Sequence, residues 1–420
     1  MLYYLIRPFA RLTFQLLYRN IKFQGIEHIP KGVPVVFAVN HPTAFIEPCI
    51  MATWLPKSLS FIVRGDLFKK LWARILLASV HLIPMFRVKD GGLNIVKNNY
   101  ESLKYVVHFL HKKGWLMILA EGHITTPRRL GPLKKGTARI ALNTLEQRPN
   151  CGLVIMPVGV NMSHPDAIGS DIHVKIGQAI QAADYFDLYE EHANKGIMAL
   201  TERLRIAMKD LLIQIENPED DIACESLLNI HSALNPVTVN ESFDNRVVVQ
   251  KDLMTKVGLL NQNAKTNLFE QQKTLEQLFK ANQLSYYPFD LDSKVKYWLI
   301  ILTYLLAPFG LLVAIPFYFA KWVNSKIKIV DVFLVSVLFA SVMGAGVLFF
   351  GGLTVGFGMV SLYYAALVLL IMNLGLLFVR IKYLYQDELL KIRFNQLNLD
   401  ERSLILSSIQ EFRKTVDLLQ

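Results

Sequence analysis

The reading begins at "VPVVFAVNHPTAFIEPCIM", residues 33–51. The run Val33–Val39 is apolar throughout, as a strand covered on both faces tends to be. Apolarity stops at Asn40-His41. A helical stretch follows from about residue 44, with Thr43 at the N-cap position and Glu47 a turn or so inside. Residues between such a strand and its helix line the crevice where open α/β sheets bind ligands. The helix N-terminus disfavours a protonated imidazole, and a neutral imidazole can accept a proton, as a general base must. A Glu47 carboxylate folded back onto the other ring nitrogen would fix the tautomer and stabilise the imidazolium. No serine or cysteine adjoins the pair as a nucleophile, since Cys49 lies past the acid on the helix. The substrate then supplies the hydroxyl. The plainer alternative is a capping histidine beside an unrelated surface glutamate.

Outward from this stretch, short apolar segments alternate with helical ones up to about residue 180. Segments 59–63, 83–88, 115–120, 153–160 and 172–177 read as strands, and 44–54, 67–79, 94–112 and 136–147 as helices. The alternation predicts an α/β domain with helices on both sides of a sheet. Residues 184–293 are richer in charge, Gln and Asn, with apolar positions at helical spacing, and read as a helical accessory region.

Of the 420 residues 52% are hydrophobic, and the formal charge is +11. The mean hydropathy of +0.31 reflects an excess between residues 297 and 383. Runs 297–323, 329–350 and 353–379 are each long enough to cross a bilayer, which takes about 20 residues. With such runs present, the positive charge points to lipid rather than nucleic acid. Lys294, Lys296, Lys321, Lys326, Lys328, Arg380 and Lys382 flank the runs, and Gly351-Gly352 between the last two has no charge beside it. Placing every basic flank in the cytoplasm makes the last two runs a hairpin. The first is then re-entrant, broken at Pro308-Phe309-Gly310, or else a plain single span. The expected divisions are an interfacial amphipathic helix at 1–24, the α/β domain at 25–183, the accessory region at 184–293, the membrane region at 294–383 and a cytoplasmic helical tail at 384–420. Cys49, Cys151 and Cys224 have no paired spacing, which argues against a disulfide framework or zinc site.

Three further segments carry chemistry. "LIPMFRVKDGG" ends a strand with Arg87 and Lys89, cations placed to hold a phosphate. "AEGHITTPRRLGPLKKG" sets Glu121-Gly122 at another strand end, then Arg128, Arg129, Lys134 and Lys135 before a helix N-terminus, a pattern suited to an anion. "VIMPVGVNMS" places Pro157 and Asn161 late in a further strand. Singly, each is equally a solvated basic face or a turn. Together and in this order, over roughly residues 20–180, they resemble the four blocks of the glycerolipid acyltransferases of the lysophosphatidate and glycerol-3-phosphate type. The matching residues are Asn40-His41 with its acid at Glu47, then Arg87, Glu121-Gly122 and Pro157.

The resemblance implies a mixed sheet flanked by helices and transfer of a fatty acyl group from acyl-CoA or acyl-carrier protein to a glycerol-phosphate hydroxyl in phospholipid biosynthesis. His41 would be the base, with Glu47 beside it. Asn40, Arg87, Glu121, Gly122, Lys134, Lys135 and Pro157 would serve the acceptor. No cofactor is expected beyond the acyl donor, and the partners are membrane lipid, that donor and a phosphorylated acceptor. One departure stands out: the family acid is normally aspartate, and here it is Glu47, longer by a methylene. That departure motivates the alternative of a non-catalytic lipid-binding membrane protein that retains the fold.

Overall fold

The apolar run ending at Val39 becomes the central strand of the sheet. The computed structural model describes residues 2–86, 99–125, 128–165, 167–235, 243–284, 294–326 and 331–418, and every structural statement below concerns these. The strands are β1 Asn20–Gln24, β2 Val35–Val39, β3 Leu59–Arg64, β4 Leu82–Met85, β5 Trp115–Leu119, β6 Val154–Met162, β7 Asp171–Ile176 and β8 Ile180–Gln181. The sheet order is β1-β7-β6-β2-β5-β3-β4, with β8 also beside β6. β2 runs parallel to β5 and β6, whereas β7 and β8 run antiparallel to β6, so the sheet is mixed. β1 is the one long strand absent from the sequence reading. Its residues "NIKFQ" mix polar and apolar positions and pair only at the sheet edge, parallel to β7. The helix expected to reach residue 24 therefore stops at Leu17.

The helices of the α/β part are α1 Leu2–Leu17, α2 Ile46–Trp54, α3 Leu71–Ser79, α4 Asn99–His111, α5 Gly136–Gln147, α6 Phe186–Glu191 and α7 Ala193–Lys209. Then come α8 Asp221–Leu234, α9 Phe243–Leu259, α10 Gln262–Ala281, α11 Tyr297–Ser325, α12 Asp331–Val360, α13 Leu362–Gln396 and α14 Leu399–Asp417. All five β2 residues are fully buried because alternate side chains enter two cores. Val35, Phe37 and Val39 share one with α1, α2 and the first half of α12. Val36 and Ala38 share the other with α4, α5 and α7. Helix α7 therefore closes the α/β domain, past the expected limit at 183.

Helix α1 packs on the domain along one side. Tyr3, Ala10, Phe14 and Leu17 are buried, and Phe14 meets Phe339 of α12. Of the arginines expected to face phosphates, Arg7 donates to the Thr53 and Leu55 carbonyls at the end of α2, and Arg11 is exposed and sits over the Trp54 ring. A separate core joins α8, α9 and α10 to the end of α13 and to α14, through Leu227, Leu268, Phe279, Phe394, Ile405 and Phe412. The C-terminal tail thus completes the accessory region.

Helices α11, α12 and α13 each contain a stretch long and apolar enough to cross a membrane. α11 runs unbroken through Pro308 and Pro316, so the break expected at Pro308–Gly310 is absent. Gly310 serves packing instead: a Cβ there would strike Phe378, and one at Gly375 would strike Val313, the close approach small residues give apolar helices. α12 likewise continues through Gly351-Gly352, and the turn falls at Ser361, whose side chain accepts from the Tyr363 N–H. The Lys296 N–H donates to Glu388 at 2.7 Å and Tyr304 meets Tyr385 edge-on. The start of α11 and the end of α13 therefore lie side by side, next to the accessory helices.

His231 in α8 is buried, and its Nδ1 has no hydrogen-bond partner. Burial first, and Arg246 second, push its pKa down to about 4. The unfolded chain binds this proton near pH 6.5. Stability therefore falls as pH drops from about 6.5 towards 4, by about 3 kcal/mol in all. We expect His231→Leu to flatten that acid-side loss, measured as denaturation midpoints at pH 7 and pH 5.

Candidate active site

Between β2 and α2 the chain makes one sharp passage, pinned at Asn40, His41, Thr43 and Phe45. Asn40 clamps the end of β2 to β6: its Nδ2 donates to the Val160 carbonyl at 3.1 Å, and the Val160 N–H donates to its Oδ1 at 2.7 Å. The His41 N–H donates to Glu121 Oε1 at 2.9 Å, and its carbonyl accepts from the Thr125 N–H at 2.9 Å. The second Glu121 oxygen accepts from the Gly131 N–H at 2.8 Å. Both sides of the His41 backbone are thus held by the segment after β5.

Glu47 is fully buried. Its Oε1 accepts from the Thr43 N–H at 2.6 Å and from the Thr43 hydroxyl at 2.9 Å. Thr43 Oγ1 also accepts from the Ile46 N–H at 3.3 Å, but the helix begins two residues later than expected, so Phe45 and not Thr43 holds the N-cap position. The other carboxylate oxygen, Oε2, faces His41 Nδ1 at 3.5 Å. Neither atom makes a hydrogen bond, to the other or to any third group, so the two stand within ion-pair range but short of a hydrogen bond. The structure thus brings the His41 ring and the Glu47 carboxylate side by side. Glutamate suits this geometry because one oxygen is committed to Thr43 while the other reaches the ring.

Two contributors come from far along the chain. The Phe45 N–H donates to Ser336 Oγ of α12 at 3.3 Å, and the Phe45 ring meets Phe339 of the same helix edge-on. Ser336 is fully buried. No sequence signal links a serine in an apolar helix to a loop almost 300 residues earlier. Cys49 is no nucleophile: burial, with Glu47 second, pushes its thiol up to about 12. Tyr18 is raised by burial and Glu47 in the same way and stays neutral.

The expected cations are distributed differently. Arg87 and Lys89 lie outside the described residues. Arg128 is paired with Glu225 at 2.8 Å and donates to the Ser163 carbonyl. Arg129 is paired with Asp221 at 2.6 Å. Both guanidinium groups bind α8 instead of standing open to an anion. Lys134 and Lys135 are exposed at the start of α5, and Lys134 folds over Gly122, whose φ of +69° favours glycine. Pro157 is buried in β6 beside Ala38 of β2, a packing position. A cleft opens beside Asn40 and Glu121, lined by Thr125, Arg128, Asn161 and Gln214 among others, and nothing in the sequence marked Gln214. A second, apolar cleft lies between α1 and the apolar helices, among Phe9, Leu16, Val313, Val342 and Phe350.

Residues 20–161 match the family described as Acyltransferase. An uncharacterized acyltransferase from Schizosaccharomyces pombe is 29% identical over 112 residues, which is 26% of this chain and 17% of that protein. The chain thus spans about a sixth of that relative's length. Among solved structures, the 1-acyl-sn-glycerophosphate (LPA) acyltransferase PlsC from Thermotoga maritima aligns with a TM-score of 0.34 and 15% identity, over 47% of this chain and 79% of that one.

Leaving a buried donor unpaired costs about 1–3 kcal/mol. Glu121→Ala, which removes both acceptor oxygens, is therefore expected to speed amide hydrogen exchange at His41 and Gly131 by roughly tenfold, leaving Val160 unchanged. Asn40→Ala should do the reverse.

Proposed function

Starting from an acyltransferase-family domain at residues 20–161, we propose that this chain transfers a fatty acyl group from an acyl-CoA or acyl-carrier-protein thioester to the hydroxyl of a glycerol-phosphate-type acceptor, glycerol-3-phosphate or lysophosphatidate. The observation that carries the reading is the buried pair of His41 Nδ1 and Glu47 Oε2, facing each other at 3.5 Å with neither atom hydrogen-bonded to anything.

The proposed reaction needs no covalent enzyme intermediate. His41 Nε2 takes the proton of the acceptor hydroxyl as its oxygen attacks the thioester carbonyl carbon. Glu47 balances the imidazolium so formed. The tetrahedral intermediate collapses, the C–S bond breaks, and the departing thiolate recovers the proton from His41. The product is an ester and a free thiol. Lys134 and Lys135, exposed near Gly122, are the described cations open to an acceptor phosphate, and Arg87 is proposed to join them. Glu121 then serves mainly by holding His41. The apolar cleft between α1, α11 and α12 belongs to the side of the sheet that buries Glu47, which suits a fatty chain entering from lipid.

For the membrane arrangement we propose that α12 and α13 insert as a hairpin with Ser361 at its tip. The α/β domain, the accessory helices and the tail then share the cytoplasmic side. The adjacency of Lys296 and Glu388 supports this.

His41→Ala is expected to abolish incorporation of labelled acyl chains into lipid while membrane insertion persists. Glu47→Gln, which puts an amide in the carboxylate's place, should lower the rate about a hundredfold or more. Purified protein given both donors and a panel of acceptors, with products read by mass, tests both. Undiminished transfer by Glu47→Gln would remove the pair from the mechanism.

A further inference from the structure

Nothing in the reaction proposed above uses α3, and its surface is unusual. At about 100° per residue, Leu71, Ile75, Trp72 and Leu76 follow one another around roughly 140° of the nine-residue helix. All four point away from the protein, with exposures of 72%, 65%, 65% and 46% in that order. Ala73, on the opposite side, is buried at 8% and seats the helix. Leu67, just before, is also exposed at 49%. A contiguous apolar patch of this kind on a folded surface marks a binding face.

Its borders say what it binds. Lys69, Lys70 and Arg74 are all exposed and edge the apolar arc, and the one nearby acid, Asp66, is paired with Arg64. Apolar side chains rimmed by cations, with a tryptophan among them, suit the headgroup layer of an anionic leaflet. A protein interface fits less well, since lysine is depleted there. The location agrees. Tyr3, at the start of α1, stacks on His81, just past α3, with ring centroids 4.8 Å apart. Tyr4 and Leu5 beside it are exposed at 57% and 66% and extend the same apolar surface. Farther along, α1 packs on the apolar helix α12 through Phe14 and Phe339.

We infer that α3, with the exposed start of α1, is a second membrane contact: an in-plane helix that docks the α/β domain onto an anionic leaflet, separately from α11–α13. It sits between β3 and β4, directly before the segment that carries Arg87. Docking there would fix the tilt of the domain over the bilayer. The inference does not depend on the transfer chemistry.

The test uses the full chain reconstituted in nanodiscs of mixed phosphatidylcholine and phosphatidylglycerol. An environment-sensitive fluorophore is attached at Trp72→Cys, or at Glu202→Cys on the exposed face of α7 as the water-facing control. The unsubstituted chain gives the background from Cys49, Cys151 and Cys224. Quenching by spin-labelled lipid at position 72, several-fold above position 202, is the expected result, as is protection from aqueous iodide. Replacing Lys69, Lys70 and Arg74 with glutamine should reduce the lipid quenching by at least half. Iodide quenching equal to the control overturns the inference, because the face is then in water. Protection from both quenchers also overturns it, because protein covers the face instead.

Discussion

The contact between His41 Nδ1 and Glu47 Oε2 is the constraint around which the active-site end of the sheet is arranged. A carboxylate that is fully buried is costly unless its oxygens are satisfied. Here one oxygen takes two bonds from Thr43, and the other has only the imidazole before it. Both side chains are buried, so charge on either is screened little by solvent. The same glutamate braces the start of α2 and faces the proposed base. A shorter acid on the same helix would have to give up reach towards either Thr43 or His41.

Holding that geometry falls to parts of the chain that are distant in sequence. Asn40 ties the strand end to β6, and Glu121 holds the His41 amide from the segment after β5. Ser336 and Phe339 hold Phe45, midway between base and acid, from α12. Misplacement by about 1 Å can cost about a hundredfold in rate, so three anchors on six residues are proportionate to the chemistry. The last of them ties the loop to a helix apolar enough to cross a membrane, so the packing of α12 and the spacing of the pair are one mechanical unit.

How much of this was legible follows from the kind of signal each part carries. Continuous apolar runs such as Val35–Val39 and Val154–Met162 announce strands covered on both faces, and the α/β order followed from their alternation with helices. β1 escaped because an edge strand buries little and "NIKFQ" carries little pattern. The Gly351-Gly352 pair misled because glycine breaks helices in water, whereas in an apolar helix every backbone group must stay bonded within the helix. His41 and Glu47 were visible because they are close in sequence and share one strand–helix passage. Ser336, Gln214 and the acidic partners of Arg128 and Arg129 were not, because their contacts span between 84 and 291 residues and leave no local trace.

The fate of Arg128 and Arg129 shows how the accessory region bears on the site. Read as a sequence, two arginines before a helix N-terminus look like an anion cradle. In the fold, Glu225 and Asp221 of α8 neutralise them, and Ile215 and Gln214 bond the same segment through the Arg129 side chain and the Leu130 amide. Glu121 also reaches Gly131 in that segment, so the path from α8 to the His41 backbone is short and made of direct bonds. Since α8 shares its core with α14 and the end of α13, a disturbance of the C-terminal helices has a physical route to His41 through Arg128–Gly131. The accessory helices are thereby a support for the β2–α2 loop, with the same segment serving as wall of the polar cleft and as brace for His41.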